Sequence, residues 1–414
     1  MTQAMMRPTQ GMKSIPLHTR KQAGRYVLLA LALLALVFSN GCSKPREAKG
    51  VLDTPEHHAN VGYDKMDQNR WEDAEREFNL ALDLDKKYSP ALGGKAVVEA
   101  HKAQANMGSE KLRDKSYDAG KSLFKDALSN AADDTQKRLA HVNAIRVHTL
   151  TQMPSKWVEE AEDHYNDAVE TDKKEQDPLP HFYMARAYRD GLQLNKALKL
   201  YEKVLALDKG KTAEADKEMS VVQNVIRANP GSRTGKLVAF LDHVSRADVA
   251  AVFIEELSLA NIYARNAQVD NSFKSPEQAA RGDRKASDVE GHPLQSDIEE
   301  VLRIGITGLE VDGSGHFFPD KATSRAEFAV MVEDILTRVT GENLKSKFIG
   351  QESPFRDVRN DLPYFNAVMT VSSRGLMEAK NKVRGLFAPT DPMTGVEALL
   401  VVRAMKNELK SYLR

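Results

Sequence analysis

Hydrophobic residues recur at helical spacing through most of the chain, and the clearest instance lies in residues 312–336. Ser324 is followed three residues later by Glu327, which is the spacing of a capping box. In that arrangement the hydroxyl accepts the backbone N–H of Glu327, while the carboxylate accepts the backbone N–H of Ser324. The apolar stripe behind the cap predicts a helix with one buried face. Its members are Phe328, Ala329, Met331, Val332, Ile335 and Leu336.

Two further segments repeat this arrangement of a cap and an apolar run. The turns ahead of the second and third caps are also alike, since Pro319 and Pro389 each lie five residues before a cap. Three copies indicate an internal repeat whose units bury their apolar faces against one another. The other two caps are Ser245 with Asp248, before the run 249–257, and Thr394 with Glu397, before the run 398–405.

Residues 324–327 have the sequence Ser-Arg-Ala-Glu and follow a Phe-x-Pro-Asp sequence. They are similar to the Thr-Arg-Ala-Glu signature of S-layer homology modules. That family anchors bacterial surface proteins to cell-wall polysaccharide. Residues 288–306 and 355–376 resemble the first helix of such modules, and residues 219–226 are a poorer match. The resemblance implies a pseudo-threefold bundle of three modules. Their predicted bounds are 212–262, 288–341 and 354–411, with a linker at 263–287.

The resemblance also implies candidate ligand-binding residues. In the family, the arginine of the signature contacts an acidic wall polysaccharide in the grooves between modules, so Arg246 and Arg325 are the predicted positions. His292 matches the histidine of the family's His-Trp pair, but Pro293 replaces the tryptophan. A substitute for this sugar-stacking aromatic is therefore required, and the candidates are Phe317, Phe318 and Tyr364.

The chemistry of the helix starts supports an anion site independently of the resemblance. Arg325 at the first helical position adds a charge to the partial positive charge and free N–H groups there, which suits a carboxylate, a phosphate or a pyruvyl ketal. The alternative is that Arg325 pairs with a neighbouring acid. Capping accounts for Glu327 and Glu397. The third copy has Gly395 in the arginine position, which predicts at most two binding grooves.

Residues 59–209 show the pattern of helical hairpins and resemble about four tetratricopeptide repeats. In such repeats small residues let two helices approach, and aromatic residues fill the space between them. The predicted solenoid either binds a peptide or partner helix in its groove or acts as a spacer. The clearest first and last sets are Gly62, Trp71, Ala74, Phe78, Ala81 and Asp85, and Ala185, Tyr188, Ala197, Tyr201, Val204 and Asp208.

The N-terminus has the pattern of a lipoprotein signal peptide, predicted at 1–41. A basic segment ends at Arg25, and the apolar run 26–38 is 13 residues long, which fits a signal peptide better than a membrane span. Residues 39–42 then resemble a bacterial lipobox, with Cys42 as the lipidated residue and 42–58 as a tether. Ser43 is not the aspartate that retains lipoproteins at the inner membrane, which favours the outer membrane, facing the periplasm. Ordinary cleavage and an uncleaved anchor are the alternatives.

Composition narrows the function classes. The 414 residues suffice for two or three domains, and the one cysteine excludes an internal disulfide. Five of the 59 basic residues lie in 1–41, which contains no acid, so the remainder carries a net charge of −5. Nucleic acid is not an expected partner, because phosphate binding needs clustered positive charge. No metal and no cofactor is predicted, since His57 and His58 fit a solvated linker and residues 312–316 a turn.

Two functional hypotheses follow. The first is an all-α, non-enzymatic anchor that links membrane lipid, through its acylated N-terminus, to peptidoglycan or an acidic wall polysaccharide, with a protein partner on the solenoid. The second is an assembly scaffold of the outer membrane whose modules no longer bind glycan. An enzyme acting on glycans would need a carboxylate pair in a cleft, and the sequence contains no motif for one.

Overall fold

The computed structural model describes residues 46–104, 109–174, 176–267 and 285–410. The regular elements within these ranges are helices, as predicted for an all-α fold. The predicted signal peptide and Cys42 lie outside the described residues, as does most of the predicted linker. None of the helices in these ranges is long and apolar enough to cross a membrane.

The N-terminal half is a stack of helical hairpins. Within each hairpin the two helices pack on each other, and the first helices of successive hairpins also pack together in a row. The stack therefore has two layers, in which each hairpin contacts its neighbours. Its helices are α1 (Pro55–Asp67), α2 (Trp71–Leu84), α3 (Ser89–Gln104), α4 (Glu110–Ser129), α5 (Asp134–Thr151), α6 (Trp157–Glu170), α7 (Pro178–Asp190) and α8 (Leu194–Leu207).

Close packing in this stack depends on glycines that face an aromatic ring. The ring of Phe78 on α2 is fully buried. A Cβ atom added at Gly62 on α1 would lie 2.6 Å from that ring, and one added at Gly94 on α3 would lie 2.2 Å from it. Three helices therefore meet at one phenylalanine, which is the small-against-aromatic pattern on which the hairpin prediction was based. The assignment of these hairpins as tetratricopeptide repeats stays a prediction.

The predicted tether differs from the structure near its end. Thr54 caps α1, so the helix begins within the predicted range 42–58. Asp53 accepts two hydrogen bonds from Arg46, at 2.6 and 2.7 Å. His58 lies between Asp53 and Glu77, at 2.9 and 2.7 Å, rather than in a solvated linker. The segment leading into α1 is thus attached to the first hairpin.

Helix α9 (Thr212–Ala228) joins the stack to the C-terminal half. Ala215 and Val222 of this helix belong to the core of the hairpins, and Val225, nearer its end, belongs to the C-terminal core. Glu218 on the same helix accepts hydrogen bonds from Tyr201 of α8 and from two arginines of α7. Helix α9 therefore connects the two halves as one continuous helical surface.

The C-terminal half shares one core. Five phenylalanine side chains, each at most 1% exposed, fill it, namely Phe253, Phe317, Phe328, Phe365 and Phe387. Helix α11 (Arg246–Ala251) changes into a π-helical turn, Val252–Glu256. Helix α12 (Leu259–Ala267) extends past the predicted module boundary at 262. The helices are α10 (Arg233–Val238), α11 (Arg246–Ala251), α12 (Leu259–Ala267), α13 (Gln295–Ile304), α14 (Arg325–Thr340), α15 (Phe365–Ser373) and α16 (Gly395–Leu409).

The attachment of residues 46–53 to the first hairpin should depend on the charge of His58. Burial lowers the pKa of His58, but its hydrogen bonds to Glu77 and Asp53 outweigh this and raise the pKa above the ordinary value. Protonated His58 therefore stabilises the contact below the unfolded pKa, and that stability is lost as the pH rises through the folded pKa. An NMR titration of the wild-type imidazole should give a pKa above about 6.5.

Replacing Glu77 with Gln removes the strongest of these interactions and should lower the pKa of His58. Glu75→Gln is the matched control, because Glu75 on the same helix pairs with Lys102 instead. An unchanged His58 pKa in Glu77→Gln would contradict the proposed contact.

Candidate functional site

Three backbone hydrogen bonds form a closed ring in the C-terminal half. The N–H of Val244 donates to the carbonyl of Met393, that of Met393 to Thr323, and that of Thr323 to Val244, at 2.8 to 2.9 Å. Each of these residues directly precedes the cap of one helix, α11, α14 or α16. The ring therefore brings the three repeated helix starts together.

The three predicted capping boxes are all present at these helix starts. At each one the side chain of the cap accepts the backbone N–H three residues later, and the acid there accepts the N–H of the cap. This fixes the acids in structural roles and orients the first turn of each helix. The pairs are Ser245 with Asp248, Ser324 with Glu327, and Thr394 with Glu397.

We call the three repeated regions of the C-terminal half, predicted at 212–262, 288–341 and 354–411, the first, second and third segments. The first N–H groups of these helices donate to the neighbouring segment. At α14, Arg325 donates from its backbone N–H to the carbonyl of Asp391, and Ala326 donates to that of Pro389, both at 2.9 Å. Helix α11 donates in the same way to the turn of the second segment. The N–H groups that an anion would use at a helix start are therefore already occupied, which removes the expected backbone donors for an anion.

The side chain of Arg325 is 3% exposed and bonds to the third segment. Its Nε donates to the carbonyl of Phe387 at 2.9 Å, and one Nη donates to that of Glu378 at 2.7 Å. The other Nη pairs with Glu397 at 3.0 Å. The guanidinium also lies 4.7 Å from the centroid of the Phe387 ring. Of the two sequence-based alternatives for Arg325, the structure contains the pairing with a neighbouring acid.

Arg246 makes the equivalent contacts with the second segment. Its three nitrogens donate to the carbonyls of Phe317, Gly308 and Glu310, at 2.5 to 2.9 Å, and it lies 4.6 Å from the Phe317 ring. Burial lowers the pKa of Arg246, and among the described residues no carboxylate forms a hydrogen bond with it. Each arginine thus clamps one segment onto the next. Direct glycan contact by either arginine stays a prediction.

The third helix start has no room for an arginine. A Cβ atom added at Gly395 would lie 1.7 Å from the carbonyl oxygen of Val238, and the N–H of Gly395 donates to Leu241 at 2.9 Å. The backbone of α16 therefore packs directly on the first segment. Two arginine clamps and one close backbone contact therefore accompany the three hydrogen bonds of the ring.

Two aspartates that the sequence analysis gave no role hold the turns ahead of the caps. Asp288 accepts the N–H groups of Phe317 and Phe318 at 2.8 and 2.7 Å, and Asp357 does the same for Phe387 and Ala388. Burial raises the pKa of Asp288, but these backbone hydrogen bonds outweigh it and lower the pKa overall. The sequence signal for this role is the Asp-Val pair near the start of the second and third segments. In both segments it lies about 30 residues before the turn.

The outer side of the second turn carries the exposed polar and aromatic groups, and we call it the turn surface. Phe318 has φ +57° and is 48% exposed, whereas Phe317 is fully buried. The ring of His316 lies 5.6 Å from that of Phe318, and Nε2 of His292 lies 3.7 Å from Asp320. Arg246 and His292 therefore flank the same turn from two sides. The turn surface comprises His292, His316, Phe318, Asp320 and Lys321.

A cleft of about 210 Å³ lies between the end of α9 and α16. Arg403, Lys406 and Lys410 line it, and buried Glu256 lies 3.5 Å from Lys406. Pockets that enclose a drug-sized ligand have volumes of about 300 to 1,000 Å³. The cleft is smaller than that range and suits an ion or a single sugar residue better than a chain.

Comparison with known families identifies an S-layer homology domain at residues 354–399. The match begins at the predicted start of the third module and covers the segment with Gly395, whereas the sequence motif was clearest in the second. No curated protein and no solved structure matches the chain. The domain points to anchoring at the cell surface or cell wall, and thus to the cell envelope.

The close contact at Gly395 gives a testable consequence for stability. Gly395→Ala should lower the free energy of unfolding by about 2 kcal/mol or more, because the added methyl group collides with main-chain atoms that have no rotamer with which to move away. Urea denaturation measures this change. Gly313→Ala is the matched control, because a Cβ atom there meets nothing within 4 Å. Equal stabilities of the two variants would show that the backbone contact does not exist.

Proposed function

We propose that the protein is a non-enzymatic anchor of the bacterial cell envelope. Acylated Cys42 attaches it to the outer membrane, the C-terminal half binds peptidoglycan or an acidic wall polysaccharide, and the hairpin stack offers its groove to a protein partner. The S-layer homology domain at 354–399 is the observation that carries the wall-binding part of this proposal.

We place the glycan contact on the turn surface. An exposed aromatic ring beside a few polar groups is the usual composition of a site that orients a ligand with polar and apolar faces. Phe318 supplies the ring, and His292 and His316 supply donors and acceptors. Lys321, whose Nζ pairs with Glu327 at 3.0 Å and is partly exposed, supplies a positive charge for an acidic sugar. Arg246 and Arg325 then support binding by holding the segments together, because their nitrogens bond to backbone and carboxylate groups inside the protein.

The second segment is the stronger glycan-binding candidate. The third segment has the same turn, held by Asp357, but Ala388 lies where the second segment has Phe318, and both have a φ near +57°. The third segment therefore has no ring at the tip of its turn. The third segment also has Gly395 in the arginine position, and this substitution predicted that one of the three grooves is lost. Both observations therefore favour the second segment.

The position of the N-terminal segment supports the two-ended arrangement of the proposal. Residues 46–53 are attached to the first hairpin through Arg46, Asp53 and His58. The described chain thus begins at the first hairpin, while the turn surface lies in the C-terminal half. Lys211, directly ahead of α9, donates to Asp67 of α1 at 2.8 Å, so the first hairpin also contacts the start of the C-terminal half.

Sedimentation with isolated sacculi tests the wall-binding proposal. The wild-type protein should sediment, and Phe318→Ala should weaken the apparent affinity by about 10-fold, equivalent to about 1.4 kcal/mol of lost ring contact. Ile349→Ala is the matched control, because Ile349 is an exposed apolar residue outside the turn surface. Failure of the wild-type protein to sediment, or equal binding by both variants, would contradict glycan binding at the turn surface.

The alternative function is an assembly scaffold of the outer membrane, and one observation favours it. Both signature arginines bond within the protein, which is the arrangement expected if the repeated segments serve only to build a stable platform. Crosslinking in intact envelopes followed by mass spectrometry distinguishes the two functions. Glycan adducts on the turn surface support the anchor, whereas protein adducts alone support the scaffold.

A further inference from the structure

Histidines cluster between α5 and α6 in the hairpin stack, away from the proposed glycan surface. Nδ1 of His141 lies 3.1 Å from Nδ1 of His164. Oδ2 of Asp167 lies 3.7 Å from the same His141 nitrogen. One nitrogen from each histidine and one oxygen of Asp167 all lie within 4.8 Å of one another. Two helices thus bring three groups of metal-ligand type to one point.

The spacing of these atoms is close to that of a zinc coordination sphere. Zinc binds histidine nitrogen at about 2.0 to 2.1 Å in tetrahedral sites, which places two ligand nitrogens about 3.4 Å apart. The observed separation of 3.1 Å is close to this value. His164 and Asp167 are three residues apart on α6, so both side chains project from the same face of the helix. Small side-chain rotations are enough to bring all three ligand atoms around one ion.

A hydrogen bond between the two imidazoles satisfies the site poorly. Only one of the two facing nitrogens can carry the proton, and Nε2 of His141, which is 5% exposed, has no partner. Nε2 of His148 is also buried without a partner, and its ring lies 5.6 Å from that of His164. A bound ion would satisfy both facing Nδ1 atoms at once, whereas it would not account for the two Nε2 atoms.

The imidazoles lie in a buried environment that disfavours their charged form. Burial lowers the pKa of His164 to about 3, and the neighbouring His148 and His141 lower it further. Burial also lowers the pKa of His141. Both facing Nδ1 atoms can bind one ion when each neutral ring carries its proton on Nε2. Asp167 is 58% exposed, which leaves a path from solvent to the site.

We propose that His141, His164 and Asp167 form a binding site for a divalent transition-metal ion of the Zn²⁺ type. The ligand atoms are Nδ1 of each histidine and one carboxylate oxygen of Asp167. The fourth position faces solvent on the side of Asp167, where it takes water or a ligand from a binding partner. His148 is a positioning residue, because its Nδ1 lies 2.7 Å from the carbonyl of Met153 and its ring lies against His164. The ion would cross-link α5 to α6 within the stack.

Isothermal titration of the untagged full chain with Zn²⁺ tests the proposal, with thermal unfolding as a second readout. The wild-type protein should bind one equivalent with a micromolar or tighter Kd, and its Tm should rise with Zn²⁺. Asp167→Asn changes an exposed side chain without changing its size and should weaken binding at least 10-fold. His164→Ala should abolish binding and the rise in Tm.

His316→Ala is the matched control, since His316 also lies near an aspartate, 3.8 Å from Asp312, in a contact that lacks the second histidine of the proposed site. This variant should bind Zn²⁺ like the wild type. Absence of stoichiometric binding by the wild-type protein would overturn the proposal. Unchanged binding in Asp167→Asn, whose fold is checked by circular dichroism, would overturn it as well, even if His164→Ala fails to fold.

Discussion

The C-terminal half depends on a ring in which three backbone hydrogen bonds join Val244, Thr323 and Met393. These residues are separated by about 70 to 80 positions along the chain, so the ring holds together segments that have no local reason to meet. Each bond is worth only about 1 kcal/mol. Because the ring is closed, however, no one segment can leave without breaking two of the bonds and exposing the shared core. The ring makes the three segments a single unit.

This constraint determines what the helix starts can do. In an open helix start, the first N–H groups and a nearby arginine would attract an anion. Here the N–H groups donate to the carbonyls of the neighbouring segment, and Arg246 and Arg325 donate to further carbonyls of the same segment. The chemistry that suggests a ligand site is therefore used to close the ring. In our proposal, ligand recognition therefore lies with exposed groups such as those of the turn surface.

The sequence predicted local features well, because their causes lie within one or two helical turns. The capping boxes depend on side chains three residues from their partners, and the hairpins depend on small and aromatic residues at helical spacing. The tether was predicted less well, since the segment looks polar and its attachment depends on Glu77 of the next helix. The pairing with Glu397 links Arg325 to a residue 72 positions away. Gly395 fits only because Val238 lies against it, and no pattern within either segment encodes that contact.

The metal-ligand cluster could not be predicted from the sequence for the same reason, because it depends on contacts between distant residues. His141 and His164 lie on different helices and lack a short motif between them, so only the packing of α5 on α6 brings their nitrogens together. The sequence therefore predicts no metal site, because ligand patterns can be recognised only at short spacing within one segment. Long-range packing thus creates both the internal arginine clamps and the histidine pair.

Hydrogen exchange at the backbone amides of Val244, Thr323 and Met393 tests the closed ring most directly. If the three bonds break only together, the three amides share one free energy of opening once their intrinsic exchange rates are taken into account, and Arg325→Ala lowers it by the same amount for all three. Exchange of one of these amides much faster than the other two, or acceleration of Met393 alone in the variant, would show that the segments open independently and would contradict the account.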